Sequence, residues 1–359
     1  MADPPAGILS PMGAEPRSGA QPGPASAPAS PKGPPPAIVT DRLVKRYGST
    51  VALDGLTMTV PRTEVFGFLG PNGAGKTTAV KLLLGLARPT SGTATVLGRP
   101  LDDPEARRRI GYLPELFRYQ PWLTGREVLH LHCRLIGLAR GTWEGQVREV
   151  VALVGLEGRA DERVGGYSKG MSQRIGLAVA LLGAPALVFL DEPTSALDPV
   201  GRMEMRPLIR DLKARGTTVF LNSHLLTEVE QVCDRVAIVD HGRVVALGAL
   251  DELLAEPVLR LRLGGVGAEA RALLTARGRL AADGEWLALR GVATEAIPNL
   301  VADLVAAGVR VYAVEPGRES LEARFAALVG GEDGDRLDHA APAETERSAA
   351  GPSDGSGPA

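Results

Sequence analysis

The chain has 359 residues, with 40 Lys and Arg against 42 Asp and Glu and a formal net charge of −2. That length leaves room for roughly two domains of ~100–200 residues, and the charge balance excludes the basic field on which nucleic-acid binding draws. The two cysteines, Cys133 and Cys233, sit in apolar helical patterns and read as buried free thiols rather than a disulfide or a metal site, which fits a reducing compartment.

In chain order, residues 1–36 are rich in Pro, Ala, Gly and Ser and hold little to bury, so a disordered arm is expected. The start lacks the basic stretch and apolar segment of a secretory signal. Residues 37–64 read as short strands joined by turns, with Tyr47 at the end of one. Val65, Phe66, Phe68 and Leu69 make a continuous apolar run around Gly67 and read as a buried strand. Then comes Gly70-Pro71-Asn72-Gly73-Ala74-Gly75-Lys76-Thr77-Thr78, which fits G-x-x-x-x-G-K-[ST]. A helix over 77–86 follows, with Val80, Leu82, Leu83, Leu84 and Leu86 as its apolar residues. Strand, Gly-rich turn and helix N-terminus are the context a phosphate-binding loop needs. The glycines let backbone N–H groups turn inward, and the helix end adds partial positive charge. Lys76 aims a full charge at the β and γ phosphates, and Thr77 offers a hydroxyl to magnesium.

A strand pair is expected around 92–98, then a basic, solvated helix face at Arg107-Arg108-Arg109, then a strand that Pro114 ends just before Glu115. Thr124-x-x-Glu127 is a capping box. It opens a helix with Val128, Leu131, Leu135 and Leu138 on one face, and a second amphipathic helix covers 143–154. His130 and His132 point different ways on a helix, so they do not form a metal site. The loop at 165–170 runs into a helix over 171–182, with Ser168 as its N-cap.

The longest apolar run, 176–190, is interrupted by Gly183 and Pro185. A spanning helix needs ~20 apolar residues, so the run reads as buried helix, turn and buried strand. Work at a membrane would then require a partner. The strand delivers Asp191 and Glu192 at its C-terminal end, where ligands sit in open α/β sheets. Magnesium is the natural partner for Asp191, and Glu192 can take a proton from an attacking water. A helix over 200–215 and a strand over 217–221 follow, closed by Asn222-Ser223-His224, with His224 a candidate phosphate contact. A hairpin turns at His241-Gly242. From 258 the pattern is strand, helix, hairpin, helix, strand and a last helix over 320–328, a βαββαβ order of the ferredoxin-like kind. Residues 331–359 are acidic and read as a disordered tail.

Together these features resemble the ATP-binding subunits of ABC transporters, over about 37–250. Seven motifs in order carry the resemblance. The phosphate loop is 70–78, and the Walker B strand ends in Asp191-Glu192. Tyr167-Ser168-Lys169-Gly170-Met171 stands in the place of the signature, and Ser195-Ala196-Leu197-Asp198 matches the D-loop. His224 stands at the switch histidine, Tyr47 at the aromatic that stacks on adenine, and Glu115 at the Q-loop. Two positions depart from the common pattern: the signature is not L-S-G-G-Q, and the Q-loop glutamine is Glu115. Both departures, and the C-terminal extension, resemble the branch serving ABC-2-type exporters.

The resemblance implies a P-loop ATPase core at 37–250 with a helical subdomain at about 116–182, and a C-terminal α+β domain at 258–330. It implies ATP hydrolysis with ATP and Mg2+ bound. Lys76, Glu192 and His224 would act in catalysis, and Thr77, Asp191 and Glu115 would stand near the metal. Tyr47, the loop 70–78, Glu115 and Asp198 would bind nucleotide, with Ser168, Lys169 and Gly170 reaching it from a second chain. The expected assembly is a homodimer, or a heterodimer with a related subunit. It would sit on the cytoplasmic face of the membrane, held by separate integral permease subunits, with no nucleic-acid partner. The rival is a soluble ABC ATPase acting on ribosomes or DNA. Ribosomal members usually carry two cassettes and DNA-repair members a long coiled coil between the Walker motifs, and neither is present. No N-K-x-D guanine reader follows the phosphate loop.

Overall fold

A computed structural model of the chain describes residues 34–329. Nearly all of the expected N-terminal arm, and the expected acidic tail, lie outside the described residues. The first elements are β1 (Ile38–Tyr47), β2 (Thr50–Val60), β3 (Val65–Leu69), α1 (Lys76–Leu83), β4 (Ser91–Val96), β5 (Arg99–Pro100), α2 (Pro104–Arg107) and β6 (Ile110–Leu113). Next come α3 (Gly125–Leu135), α4 (Trp143–Leu153), α5 (Lys169–Leu181), β7 (Leu187–Asp191), α6 (Pro199–Ala214), β8 (Thr218–Asn222) and α7 (Leu226–Val232). Then follow β9 (Arg235–Asp240), β10 (Arg243–Ala249), α8 (Leu250–Leu253), β11 (Pro257–Gly264), α9 (Ala268–Arg277), β12 (Arg279–Asp283) and β13 (Trp286–Arg290). The described residues close with α10 (Ile297–Ala306), β14 (Arg310–Arg318) and α11 (Leu321–Val329).

Every residue of β3, β7 and β8 is buried. Such runs without alternation are what a strand covered on both faces requires. These strands sit in the middle of a six-stranded sheet ordered β10-β9-β3-β8-β7-β6. Neighbours from β9 to β6 pair in parallel, and β10 closes one edge antiparallel. Phe66, Phe68 and Phe189 pack around Phe220 with ring centroids 5.0–5.7 Å apart. Each such ring contributes about 1.5–3 kcal/mol by burial. A second, antiparallel sheet, ordered β2-β1-β4-β5, lies against the first. The register sets Phe68 opposite Asn222, and Asn222 opposite Asp191. Strand order thus brings the ends of β3, β8 and β7 side by side.

Two expected faces are corrected. The helix after the phosphate loop ends at Leu83, and Leu86 is exposed beyond it. In α3 the capping box is present, with Thr124 Oγ1 accepting from Glu127 N at 3.2 Å and Glu127 Oε2 accepting from Thr124 N at 2.8 Å. Its buried face, however, is Val128, Leu129 and Cys133, while Leu131 and Leu135 are 40% and 68% exposed. The helix carries two apolar stripes. Only one meets α4 and α5 in the core; of the expected face Val128 and Leu138 pack there, and Leu131 and Leu135 do not.

The C-terminal strands form a fully antiparallel sheet ordered β12-β13-β11-β14. Counted within this region the order is second-third-first-fourth, the ferredoxin-like arrangement the pattern predicts. Residues of α9 and α10 share its core. The last helix does not. Leu321 of α11 is fully buried in the core of the six-stranded sheet, with Phe325 and Leu328 packed on it.

Candidate functional site

The phosphate loop leaves β3 at Gly70 and enters α1 after Gly75. Gly75 has φ +96°, and a Cβ there would lie 2.3 Å from the Ala52 carbonyl oxygen. A Cβ on Gly70 would lie 2.3 Å from the Val239 oxygen. The loop is pressed onto β2 and β9 so closely that only glycine fits. Ala74 N donates to Pro71 O, and Gly242 N to Ala74 O, at 3.2 and 3.0 Å. Lys76, the first residue of α1, donates from Nζ to Gly70 O at 2.6 Å and Pro71 O at 3.0 Å. Burial pulls its pKa down, against the opposing pull of Glu192 and Asp191. The ammonium is thus held over the mouth of its own loop.

Asp191 ends β7, buried, with Oδ1 accepting from Asn222 Nδ2 at 2.5 Å. The Tyr112 hydroxyl stands 3.5 Å from Oδ2, and burial, helped by Asp191, pushes its pKa up to about 12. The phenol therefore remains a donor toward that carboxylate. Glu192 turns sharply, with φ +52°, a conformation that costs a non-glycine residue on the order of 1–3 kcal/mol. Its N–H donates to Asn222 O at 2.8 Å, and its carbonyl accepts from Ser195 Oγ at 3.0 Å. These bonds hold the turn that aims the carboxylate, whose Oε2 lies 2.8 Å from His224 Nδ1. Burial raises the Glu192 pKa, and the imidazole pulls it partly back. A carboxylate so placed is a better proton acceptor than one in water.

Asp191, Glu192, Asn222 and His224 line one cavity of about 670 Å3 together with the phosphate loop, Thr77 and Glu115. Its other walls are Thr50–Ala52 on one side and Leu226 and Phe325 on another. The donors facing it near Asp191 are oxygens, and Asn222 Oδ1 is buried there without a hydrogen-bond partner. That set suits a small hard cation. Among the described residues no group of three or more His, Cys, Asp or Glu could cage a metal by itself. A magnesium ion here would need phosphate oxygens to complete its shell, as is usual for this ion.

A family model described as ABC transporter matches residues 53–195. Over 305 residues the chain is 40% identical to an uncharacterized ABC transporter ATP-binding protein of Nostoc, covering 82% of this chain and 90% of that one. Over 311 residues it is 38% identical to the daunorubicin/doxorubicin resistance ATP-binding protein DrrA of Streptomyces peucetius, covering 84% and 94%. The chain belongs to the ATP-binding proteins of ABC transporters. A solved ATP-binding subunit of an ABC transporter superposes with a TM-score of 0.55 at 32% identity, over 60% of this chain and 91% of that one. Like the family, the chain binds ATP and hydrolyses it to power transport. Among the described residues no helix is long and apolar enough to cross a membrane.

The remaining ABC motifs lie off the cavity. Tyr47 ends β1, half exposed, with Lys45 Nζ 4.8 Å from its ring centroid. It pairs with Thr50, which does line the cavity. Ser168 caps α5 by accepting from Met171 N at 3.2 Å, and both Ser168 and Lys169 face solvent. Asp198 caps α6 by accepting from Gly201 N at 2.8 Å. None of Tyr47, Ser168, Lys169, Gly170 and Asp198 is part of the cavity wall. Sequence reasoning assigned no role to Asn222, though an amide ending an apolar strand beside a carboxylate-bearing strand was a readable signal. Phe325 had none, because nothing local ties it to a loop so far back in the chain.

Proposed function

We propose that this chain is the energy-coupling subunit of an ABC exporter of the ABC-2 branch, working as a dimer on separate permease subunits at the cytoplasmic face. The observation that carries the chemistry is the meeting of Lys76, Thr77, Asp191, Glu192 and His224 on one cavity, with His224 Nδ1 2.8 Å from Glu192 Oε2. Lys76 and the loop amides hold the β and γ phosphates. Thr77 and Asp191 hold magnesium, with Glu115 near it, and the ion supplies charge neutralisation on the phosphates when bound. Glu192 accepts the proton of the attacking water, and His224 orients Glu192 and contacts the γ-phosphate. Tyr47 stacks on the adenine.

Relatives named for bacitracin transport, daunorubicin/doxorubicin resistance and Nod factor export support export. The solvent-facing position of Ser168 and Lys169 supports a head-to-tail dimer, each copy's α5 N-terminus covering the other's cavity. Leu116 and Trp122, which follow Glu115 in the chain, are 86% and 66% exposed, and Leu131 and Leu135 of α3 are exposed too. Exposed apolar side chains following a cavity residue support contact with a permease.

The decisive variant is Glu192→Gln. Hydrolysis should fall by about 10²–10⁴-fold, the scale of a lost general base, while ATP binding persists and light scattering detects an ATP-dependent dimer. A variant that stays monomeric at saturating MgATP would sink the dimer. A wild-type chain that hydrolyses no ATP with any co-purified membrane protein would sink the energy-coupling reading.

A further inference from the structure

Among the described residues, the C-terminal region closes on α7 rather than on itself. Its last helix, α11, starts at a Ser320 cap whose Oγ accepts from Ala323 N at 3.2 Å. The preceding Glu319 is buried and lies 3.0 Å from Arg290 Nε at the end of β13. This ties the start of α11 to the C-terminal sheet. The helix itself packs on α7: Leu321 is fully buried in the core that also contains Val229 and Val232. Leu321 N donates to Glu230 Oε2 at 3.2 Å. On its other side α7 is gripped by α6, through the Arg206–Glu228 pair. The helix so held begins at Leu226, two residues after His224, and has no side-chain cap of its own. Leu226 and Phe325 both face the cavity that holds Glu192 and His224.

We propose that Phe325 is a positioning residue for ATP hydrolysis: through α11 the C-terminal region seats the start of α7 and so fixes His224 against Glu192. A seven-residue helix without a cap is marginal by itself. Its register, and with it the imbalance or alignment of the His224–Glu192 contact, is then set by what packs on it. The aromatic ring supplies that packing at the cavity rim, and the Glu230–Leu321 bond fixes the seam one turn further on. The C-terminal region thereby becomes a lever on hydrolysis: whatever binds or displaces its sheet moves α11, and α11 moves the switch.

The inference rests on the ATPase reading above, and its test separates the two. Full-length wild type, Phe325→Ala, Phe325→Leu and Glu230→Ala are compared in steady-state hydrolysis and in equilibrium titration with a fluorescent ATP analogue. Rates are normalised to the measured number of nucleotide sites, so that loss of folded protein does not count as loss of turnover. F325A should lose about tenfold or more in kcat, the scale of a misplaced catalytic group, with nucleotide affinity within about twofold. F325L, which keeps an apolar side chain at the rim, should restore most of kcat. E230A, which removes the acceptor for Leu321 N without touching the cavity, should reproduce the kcat loss, and it decides alone where F325A is not recovered folded. A normalised kcat within about twofold of wild type for F325A or E230A overturns the proposal. So does a loss carried entirely by KM, which would make Phe325 a nucleotide contact. Absence of hydrolysis by wild type counts against the functional reading instead.

Discussion

Replacing Arg206 with Met tests how firmly the switch helix is held. The guanidinium meets Glu228 through two hydrogen bonds, from Nε and from Nη2, each 2.8 Å. The side chain of Glu228 is 10% exposed and that of Arg206 27%, so water reaches the pair mainly from the arginine side. Methionine keeps most of the apolar stem but strands the carboxylate. Breaking a fully buried pair costs about 3–5 kcal/mol, and an exposed pair is worth under about 1 kcal/mol. This pair lies between, so a loss of about 2 kcal/mol is expected. Each kcal/mol moves Tm by about 2–4 °C in a domain of this size, so R206M should melt about 4–8 °C lower.

A pH series fixes the sign. The guanidinium hydrogen bonds, with a weaker pull from Arg202, hold the Glu228 carboxyl below its ordinary 4.5. A depressed carboxyl stabilises the fold above its unfolded pKa and loses that contribution as pH falls through the folded value. The gap between wild type and R206M is therefore full at neutral pH and closes as pH falls through the lowered folded value of Glu228. Adding Glu228→Gln removes the stranded charge, so the double variant should melt above R206M. A gap under about 1 °C at pH 7.5, or a double variant no more stable than the single one, would refute the reasoning.

Two further variants read the cavity. In Gly75→Ala the new Cβ lies 2.3 Å from Ala52 O at φ +96°, so the loop must shift as well as bear about 1–2 kcal/mol of backbone strain; nucleotide binding should weaken about tenfold or more, and wild-type affinity in a fluorescent-nucleotide titration would contradict the close approach. Asn222→Ala removes the 2.5 Å donor to Asp191; the magnesium concentration for half-maximal hydrolysis should rise on the order of tenfold, and an unchanged magnesium titration would mean that Asn222 does not hold the metal-facing carboxylate.

The phosphate loop and the strands around it were legible because their constraints are local. The runs of β3, β7 and β8 are apolar without alternation, which only a strand covered on both faces tolerates, and glycines stand where the loop meets Ala52 and Val239. The C-terminal topology was legible for the same reason, from a hairpin turn between two helices. The buried face of α3 was not, since Leu131 and Leu135 lie on an equally regular stripe and only the neighbours α4 and α5 decide between the two. Nor was α7, which is short, lacks a cap and is stabilised by Arg206 and Leu321 from distant parts of the chain. Phe325 reaches the site by the same kind of long-range packing, which no local pattern encodes.

Charge within the cavity argues for what covers it. Its ionisable walls are Lys76 against Glu115, Asp191 and Glu192, with His224 beside them. A nucleoside triphosphate adds more negative charge to a site already short of cations. Under the proposed mechanism, loop amides and a magnesium ion would offset part of this, but neither would balance Glu192, which on that reading must remain ionised to accept a proton. Under the proposed dimer the balance comes from the partner's α5 N-terminus, where Lys169 replaces an uncharged signature residue and faces solvent in the single chain. Lys169→Gln should therefore leave ATP binding to the monomer unchanged. It should lower hydrolysis and the ATP-dependent dimer on the order of tenfold, more at low salt than at high, because screening weakens a charge acting across an interface. Equal losses in monomer binding and in hydrolysis would place Lys169 within its own chain's site and contradict the head-to-tail arrangement.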